Sequence, residues 1–276
     1  MHDLSTTTVM VTGATSGLGR HLVHRLADRR ATVIVHGRDE GKVARTCEEV
    51  TKRGGAAIGC VADFEDLIAT HDMARRLAAD IPAIDVLINN AAIGPGAPGA
   101  PRKLTCQGNE RCFCVGYLAP HVLTYTLLPK LSASRESRII NVGSGTHEPV
   151  DTGDLAMDTS YDGWVAYRRA KFALLSLTHD VAEQCGPHLR AVYVHPANLM
   201  PTNLVAETGI PPSSTLEEGA GAVLAHVADP QMPQTLFYTG QLPASPPQEL
   251  EDPGIRSALR HAIAKCLKES SGVAIL

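Results

Sequence analysis

The chain opens on a short apolar run, Val9-Met10-Val11, that passes through Thr12-Gly13-Ala14-Thr15-Ser16-Gly17-Leu18-Gly19 into a segment with the apolar spacing of a helix. A strand that turns on glycines straight into a helix leaves few fold classes open, because the helix must return over the strand it has just left. The alternation then continues down the chain. Apolar runs near 8–11, 32–36, 57–61, 85–89, 138–142, 190–195 and 235–238, each bounded by Gly, Asn or Pro, read as strands. Helical patterns fall between them at about 18–29, 40–53, 66–79, 105–129, 164–185 and 215–228. A last amphipathic stretch sets Ile255, Leu259, Ala262, Ile263 and Cys266 on one stripe. Strand-helix-strand crossovers repeated in this way predict an α/β fold with one doubly wound parallel sheet of about seven strands and helices on both faces.

A chain of 276 residues that is 44% hydrophobic can bury one sizeable core, so residues 1–276 are expected to form one dinucleotide-binding domain. The Pro/Gly-rich stretches Gly94–Pro101 and Gln241–Pro253 read as loops rather than linkers, and 241–276 as a loop and helix extension beyond the sheet. A formal charge of -4 offers no basic field for nucleic acid or an anionic membrane, which leaves a small molecule as the expected partner. The seven cysteines are an odd set, and Cys112 and Cys114 lack Cys/His partners at zinc-finger spacing, so reduced, mostly buried thiols and no metal site are expected. Met1–Val9 shows no charged-then-apolar leader, and no apolar run looks long enough to span a membrane, which places the expectation in the cytoplasm.

The Gly-rich turn has a direct chemical reading. Glycines allow a tight turn and close approach of the backbone to a pyrophosphate, and the helix N-terminus offers free N–H groups and a positive dipole end. Gly13, Thr15, Ser16, Gly17, Leu18 and Gly19 are therefore the candidate phosphate contacts. Strand two ends His36-Gly37-Arg38-Asp39, at the edge that meets the adenosine ribose. A carboxylate there would bond the ribose 2′-OH, whereas Arg suits a 2′-phosphate. Gly37 stands in the acidic slot, so Arg38 argues for NADP(H) over NAD(H). The plainer alternative makes Arg38 a solvated charge and Asp39, one residue late for an NAD-type carboxylate, the cap of the next helix.

Thr-Gly-x-x-x-Gly-x-Gly, rather than Gly-x-Gly-x-x-Gly, resembles the form used by the short-chain dehydrogenase/reductase family, whose fold is one Rossmann-type domain. Other segments carry the same resemblance. Asp63 resembles the family's adenine-edge aspartate, with the competing reading of an N-cap for helix 66–79. Asn89-Asn90-Ala91-Ala92 resembles Asn-Asn-Ala-Gly, which makes Asn90 and Ala91 cofactor contacts and leaves Asn89 to satisfy groups between strands. Tyr167 and Lys171 lie at i and i+4 on one helical face, where an ammonium beside a phenol is expected to pull its pKa down toward working pH. With Ser144 at the end of strand five they match the family's catalytic set. The resemblance implies that Ser144 bonds the substrate oxygen, Tyr167 exchanges its proton, and Lys171 bonds the nicotinamide ribose while tuning Tyr167. Pro196, Leu199 and Thr202 fall in a segment resembling the family's Pro-Gly-x-x-x-Thr, with Ala197 for Gly and one extra residue. That extra residue, the gap between Ser144 and Tyr167 and the C-terminal layout resemble the retinol-dehydrogenase-like and WW-domain-oxidoreductase-like branch. Helices 105–129 and 164–185 commonly form dimer faces in this family, so a homodimer or homotetramer is an open expectation.

One position departs from the pattern. Where the family's relay asparagine is expected, this chain reads Val115-Gly116-Tyr117-Leu118-Ala119-Pro120. Either the relay is damaged, or Pro120, which has no N–H, frees the Gly116 carbonyl in the helix and so preserves the main-chain group that holds the relay water in the family. Asn109 is too far along the same helix to substitute. Two functions therefore stay in view: a ketoreductase or alcohol dehydrogenase acting on a hydrophobic substrate, and an impaired dinucleotide-binding sensor or scaffold. Residues 196–214 form a candidate substrate lid. Trp164 could wall the substrate cavity or staple the helix start, and the loop residue His147 carries no assignment.

Overall fold

The computed structural model describes residues 3–134, 136–185, 188–228 and 236–271. Strands β1 (Thr8–Val11), β2 (Thr32–Gly37), β3 (Ala56–Val61), β4 (Val86–Asn89), β5 (Ser137–Val142), β6 (Leu189–His195) and β7 (Phe237–Thr239) run parallel. A two-residue strand, β8 (Leu242–Pro243), adds an antiparallel edge that the sequence reading lacks. The order is β3-β2-β1-β4-β5-β6-β7-β8. It reverses between β1 and β4, and such a reversal opens a crevice at the carboxyl ends of the strands.

Strand alternation sorts the core into two layers. Val9 and Val11 pack with Leu22 and Leu26 of α1 (Gly17–Ala27), Val43 of α2 (Glu40–Lys52) and Val223 of α8 (Leu216–Ala228). Met10, between them, faces the other side, with Leu77 of α3 (Leu67–Asp80), Leu127 of α5 (Ala119–Leu131) and Leu174 of α6 (Gly163–Gln184). The last helix, α9 (Pro253–Ser271), buries Leu259, Ile263 and Leu267 against that second layer, and Arg260 donates to Asp180 of α6 at 2.7 Å. The expected stripe holds, with Leu267 added.

The helix expected over 105–129 starts later. Thr105 and Asn109 close a turn at 2.9 Å, Gly108 adopts φ +78, and Leu104 bridges Glu110. The buried Glu110 carboxylate then accepts the N–H groups of Cys112 and Phe113 at 3.0 and 2.7 Å and fixes the start of α4 (Arg111–Phe113). Asn109 therefore lies ahead of the helix, with its Oδ1 taken by the Cys266 thiol at 3.2 Å. A π turn, Cys114–Leu118, joins α4 to α5. The stretch Arg111–Leu131 is in fact apolar and long enough to cross a membrane, with a mean hydropathy of 1.2, contrary to the sequence reading. Its position explains the composition, since most of it is buried inside the molecule. All seven cysteines are free; Cys112 and Cys114 are buried, Cys106 is exposed, and the other four lie between, so fewer are buried than expected.

Candidate active site

The crevice is a cleft of about 680 Å³. Its floor is the turn from β1 to α1, where a Cβ on Gly19 would lie 2.2 Å from the Gly13 carbonyl oxygen. Only glycine fits there. Ser16, the residue before α1, makes no side-chain cap, which leaves the first-turn N–H groups of the helix available to an anion in the cleft. Thr12 Oγ1 accepts from Asn90 N–H at 2.9 Å and Ala91 N–H at 3.0 Å, while the Asn90 amide donates to the Thr12 carbonyl at 2.8 Å. Asn90 thus braces the turn while lining the cleft.

A second brace escaped the sequence reading. Gly13 N–H donates to His36 Nδ1 at 3.3 Å, and His36 Nε2 donates to the Ala62 carbonyl at 3.1 Å, with the ring stacked on Phe64 at 4.2 Å. Burial pushes the His36 pKa down to about 4, so the ring is neutral and its tautomer is set by these two bonds. A histidine following Val33-Ile34-Val35 in a buried strand was the available signal.

At the ribose edge, a Cβ on Gly37 would stand 2.7 Å from Thr15 Cγ2. A side chain at 37 would have to displace that of Thr15, so the usual acidic position is crowded here. Asp39 caps α2 through a 2.8 Å bond from Lys42 N–H, which occupies the one carboxylate that could have stood in. Arg38 is exposed on the cleft rim, its Nη1 3.7 Å from Glu65, which also takes Arg111 at 2.7 Å. The cap of α3 is Asp66, not Asp63; Asp63 accepts from Glu65 N–H at 3.0 Å and lines the cleft.

Ser144, Tyr167 and Lys171 meet where β5 and α6 border the cleft. Lys171 is 3% exposed, and its ammonium donates to the Val142 carbonyl at 2.9 Å. Burial brings its pKa down to about 8. Tyr167 moves the other way. Desolvation raises its pKa to about 12, a hydrogen bond with the Ser144 side chain lowers it in part, and the Cys112 thiol raises it. The expected depression by the lysine is therefore not what the protein groups produce, because the cost of burying a phenolate outweighs an ammonium already committed to Val142.

The family model for short chain dehydrogenase matches residues 7–210. The chain belongs to that family. Mouse retinol dehydrogenase 13 is 34% identical over 213 residues, 74% of this chain and 61% of that protein. Mouse polyprenol dehydrogenase is 35% identical over 173 residues, 60% of this chain and 50% of that protein. These relatives agree with the retinol-dehydrogenase-like branch, and the chain spans about three fifths of the length of the retinol dehydrogenases it matches. A Mycobacterium paratuberculosis protein of known structure superposes with a TM-score of 0.78 at 29% identity, covering 97% of this chain and 96% of that one. An Escherichia coli short chain dehydrogenase solved with NADPH has a TM-score of 0.69 at 23% identity, over 87% of this chain and 98% of that one, and shares the fold.

Within this member of the family the departure at Gly116 coincides with a close contact. A Cβ at Gly116 would lie 3.2 Å from Ala170 Cβ, so the π turn packs tightly on α6 one residue before Lys171. Ala119 N–H reaches back five residues to the Cys114 carbonyl. Residue 120 is the one that would serve Val115 if that register continued or Gly116 in the α-helical one. Pro120 donates to neither. Beneath the site Asn89 donates to Asn141 at 2.8 Å and to Thr124 at 3.2 Å, and Asn141 donates to Thr178 at 2.8 Å. This buried ladder ties β4, β5, α5 and α6 together.

The outer wall is mostly apolar. Trp164 faces Tyr167 edge-on, ring centres 6.2 Å apart, and lines the cleft with Pro95, Leu199, Leu204 and Val205. Leu199 adopts φ +43, and the short helix α7 (Asn203–Ala206) follows Thr202 within the stretch expected to be irregular. Cβ positions on Gly17 and Gly94 would lie 3.1 Å from Thr202 and 2.8 Å from Leu204, so this segment bridges both lips of the cleft. Pro196 completes the lining at the end of β6.

Proposed function

We propose that this chain is an NADP(H)-dependent oxidoreductase that interconverts a carbonyl and a hydroxyl on a hydrophobic small molecule. The observation that carries the reading is that Ser144, Tyr167 and the buried Lys171 come together on one wall of the cleft whose floor is the Gly-rich turn. The cleft suits a dinucleotide: the glycine floor admits no side chain, and the uncapped start of α1 suits a pyrophosphate. Gly13, Thr15, Ser16, Gly17, Leu18 and Gly19 would hold the phosphates, Arg38 the 2′-phosphate and Asp63 the adenine edge. Asn90, Ala91, Tyr167, Lys171, Pro196, Leu199 and Thr202 would flank the nicotinamide half. Bound there, the nicotinamide nucleotide supplies a hydride in reduction and takes one up in oxidation.

The remaining work belongs to side chains. Ser144 Oγ holds the substrate oxygen, and Tyr167 Oη gives its proton to that oxygen in reduction and takes it back in oxidation. A phenol with a pKa near 12 is protonated throughout the neutral range, which favours carbonyl reduction there. Lys171 places a positive charge beside the phenolate that proton transfer creates. The carbonyls of Val115 and Gly116, which Pro120 cannot serve, are suited to hold a water that resupplies the proton, in place of an asparagine. Residues 1–276 are read as one dinucleotide-binding domain, with 196–214 as the substrate lid and 241–276 as its C-terminal extension. The apolar wall of Trp164, Leu199 and Leu204 selects a lipophilic substrate.

Purified protein with NADPH or NADP and a panel of lipophilic ketones, aldehydes and alcohols tests this. Turnover abolished by Tyr167→Phe, with cofactor affinity retained, is the expected result; cofactor binding with no turnover across the panel supports the sensor reading instead.

A further inference from the structure

We infer that Tyr193 is a positioning residue for Ser144, holding it in place through its main chain so that its hydroxyl stays aimed at Tyr167. The inference rests on the reading of Ser144 as the group that holds the substrate oxygen.

Three observations converge on it. The ladder between β5 and β6 extends to the 2.7 Å bond from Gly143 N–H to the Val194 carbonyl, so the main chain of Ser144 emerges just beyond the sheet. Both of its polar groups then find one partner: Ser144 N–H donates to Tyr193 Oη at 2.7 Å, and Tyr193 Oη donates to the Ser144 carbonyl at 3.0 Å. A single hydroxyl thus satisfies the donor and the acceptor that the strand leaves behind.

The second observation is the space the ring occupies. A Cβ on Gly143 would stand 1.9 to 2.4 Å from three atoms of the Tyr193 ring. Gly143 is not among the glycines with positive φ, so its backbone does not require glycine. What requires it is the tyrosine. The pair is a matched substitution, one residue without a side chain against one of the largest, and it places an aromatic hydroxyl directly under the main chain of Ser144.

The third is rigidity. Tyr193 is 3% exposed and packs against Phe237 with ring centres 6.0 Å apart. The Ser144 Oγ, by contrast, sits in an open setting, with Thr146 N–H and Oγ1 each at 3.2 Å. A serine at a strand end with local partners of that kind has several rotamers within reach, and misplacement of a catalytic group by about 1 Å costs on the order of 100-fold in rate.

Tyr193→Phe keeps the ring over Gly143 and removes only the hydroxyl. The expected result is a kcat lowered on the order of 10- to 100-fold with the NADPH dissociation constant unchanged, because the cofactor contacts lie elsewhere. The effect should vanish in a Ser144→Ala background; additive losses, or an unchanged kcat, overturn the inference. Ser144→Ala by itself reports on the underlying assignment: if it leaves turnover intact, that assignment fails whatever Tyr193 does. Two readouts need no turnover. The crystal structure of Tyr193→Phe should show the Ser144 main chain displaced, and an unmoved Ser144 refutes the brace. Hydrogen exchange of the Ser144 amide in the unmodified protein should be slow, and exchange at the rate of an open loop refutes it too, even if the variant does not fold.

Discussion

Lys171 donates to the carbonyl of Val142 at 2.9 Å, and its Nζ stands 5.6 Å from the centre of the Tyr167 ring. The ammonium is therefore held by the end of β5 and placed beside the phenol by the turn of α6 that separates residues 167 and 171. Lys171→Met should lower turnover by about 10²- to 10⁴-fold. Because the Lys171 pKa is brought down to about 8, the charged form prevails below that value. The rate of carbonyl reduction is expected to be flat from pH 6 to about 7.5 and to decline above pH 8. A rate that holds constant to pH 10 would show that this charge is not needed.

Arg38 is free of any strong partner, since Glu65 lies at 3.7 Å and already takes Arg111 at 2.7 Å. Arg38→Leu should weaken NADPH binding by about 10- to 100-fold, the value of a charge-assisted contact to phosphate, and leave NADH within about twofold. Titration of both nucleotides by fluorescence checks it; equal losses for the two would remove the 2′-phosphate role.

Pro120→Ala returns an N–H to the first turn of α5. The π turn before it can then close on an extra hydrogen bond, and a carbonyl at Val115 or Gly116 is withdrawn from the proposed water. Turnover should fall on the order of 10-fold with cofactor affinity unchanged. Unchanged turnover and an unchanged pH profile would discard the carbonyl relay.

His36 titrates near pH 4 in the folded protein against 6.5 in an open chain. Its folded pKa is depressed, so the stability it contributes is present above pH 6.5 and is lost as pH falls toward 4. Between pH 7 and pH 5 this amounts to about 2 kcal/mol. Denaturant unfolding at the two pH values should show His36→Asn with a smaller loss than the unmodified protein; identical losses would assign the acid sensitivity to other groups.

Ile263 is 1% exposed under α9. Ile263→Ala should cost about 2–4 kcal/mol of unfolding free energy while leaving the KM for NADPH unchanged, because Ile263 itself does not line the cleft.

Much of this architecture was legible in the residues. The seven parallel strands follow from short apolar runs set off by Gly, Asn and Pro, and their periodicity is imposed by burial on both sheet faces. The Gly-rich turn and the candidates Ser144, Tyr167 and Lys171 could be marked because the family resemblance that carries them rests on spacing along one element or on a strand end. What escaped reading depends on contacts between distant segments. The start of α4 moved to Arg111 because Glu110 caps it after a turn at Gly108, and a helical pattern that runs on into capping residues does not announce where it stops.

The sequence by itself determined the parallel sheet and the glycine-lined turn, because strand and helix periods are local consequences of side-chain size and polarity, and through the family resemblance it marked the serine, tyrosine and lysine as candidates. Only the tertiary structure decided their electrostatics and their bracing. Tyr167 is raised rather than lowered since desolvation is a property of the packed site, and the demand for glycine at 143 and the tight packing at 37 and 116 come from Tyr193, Thr15 and Ala170, residues that meet them only once the chain has folded.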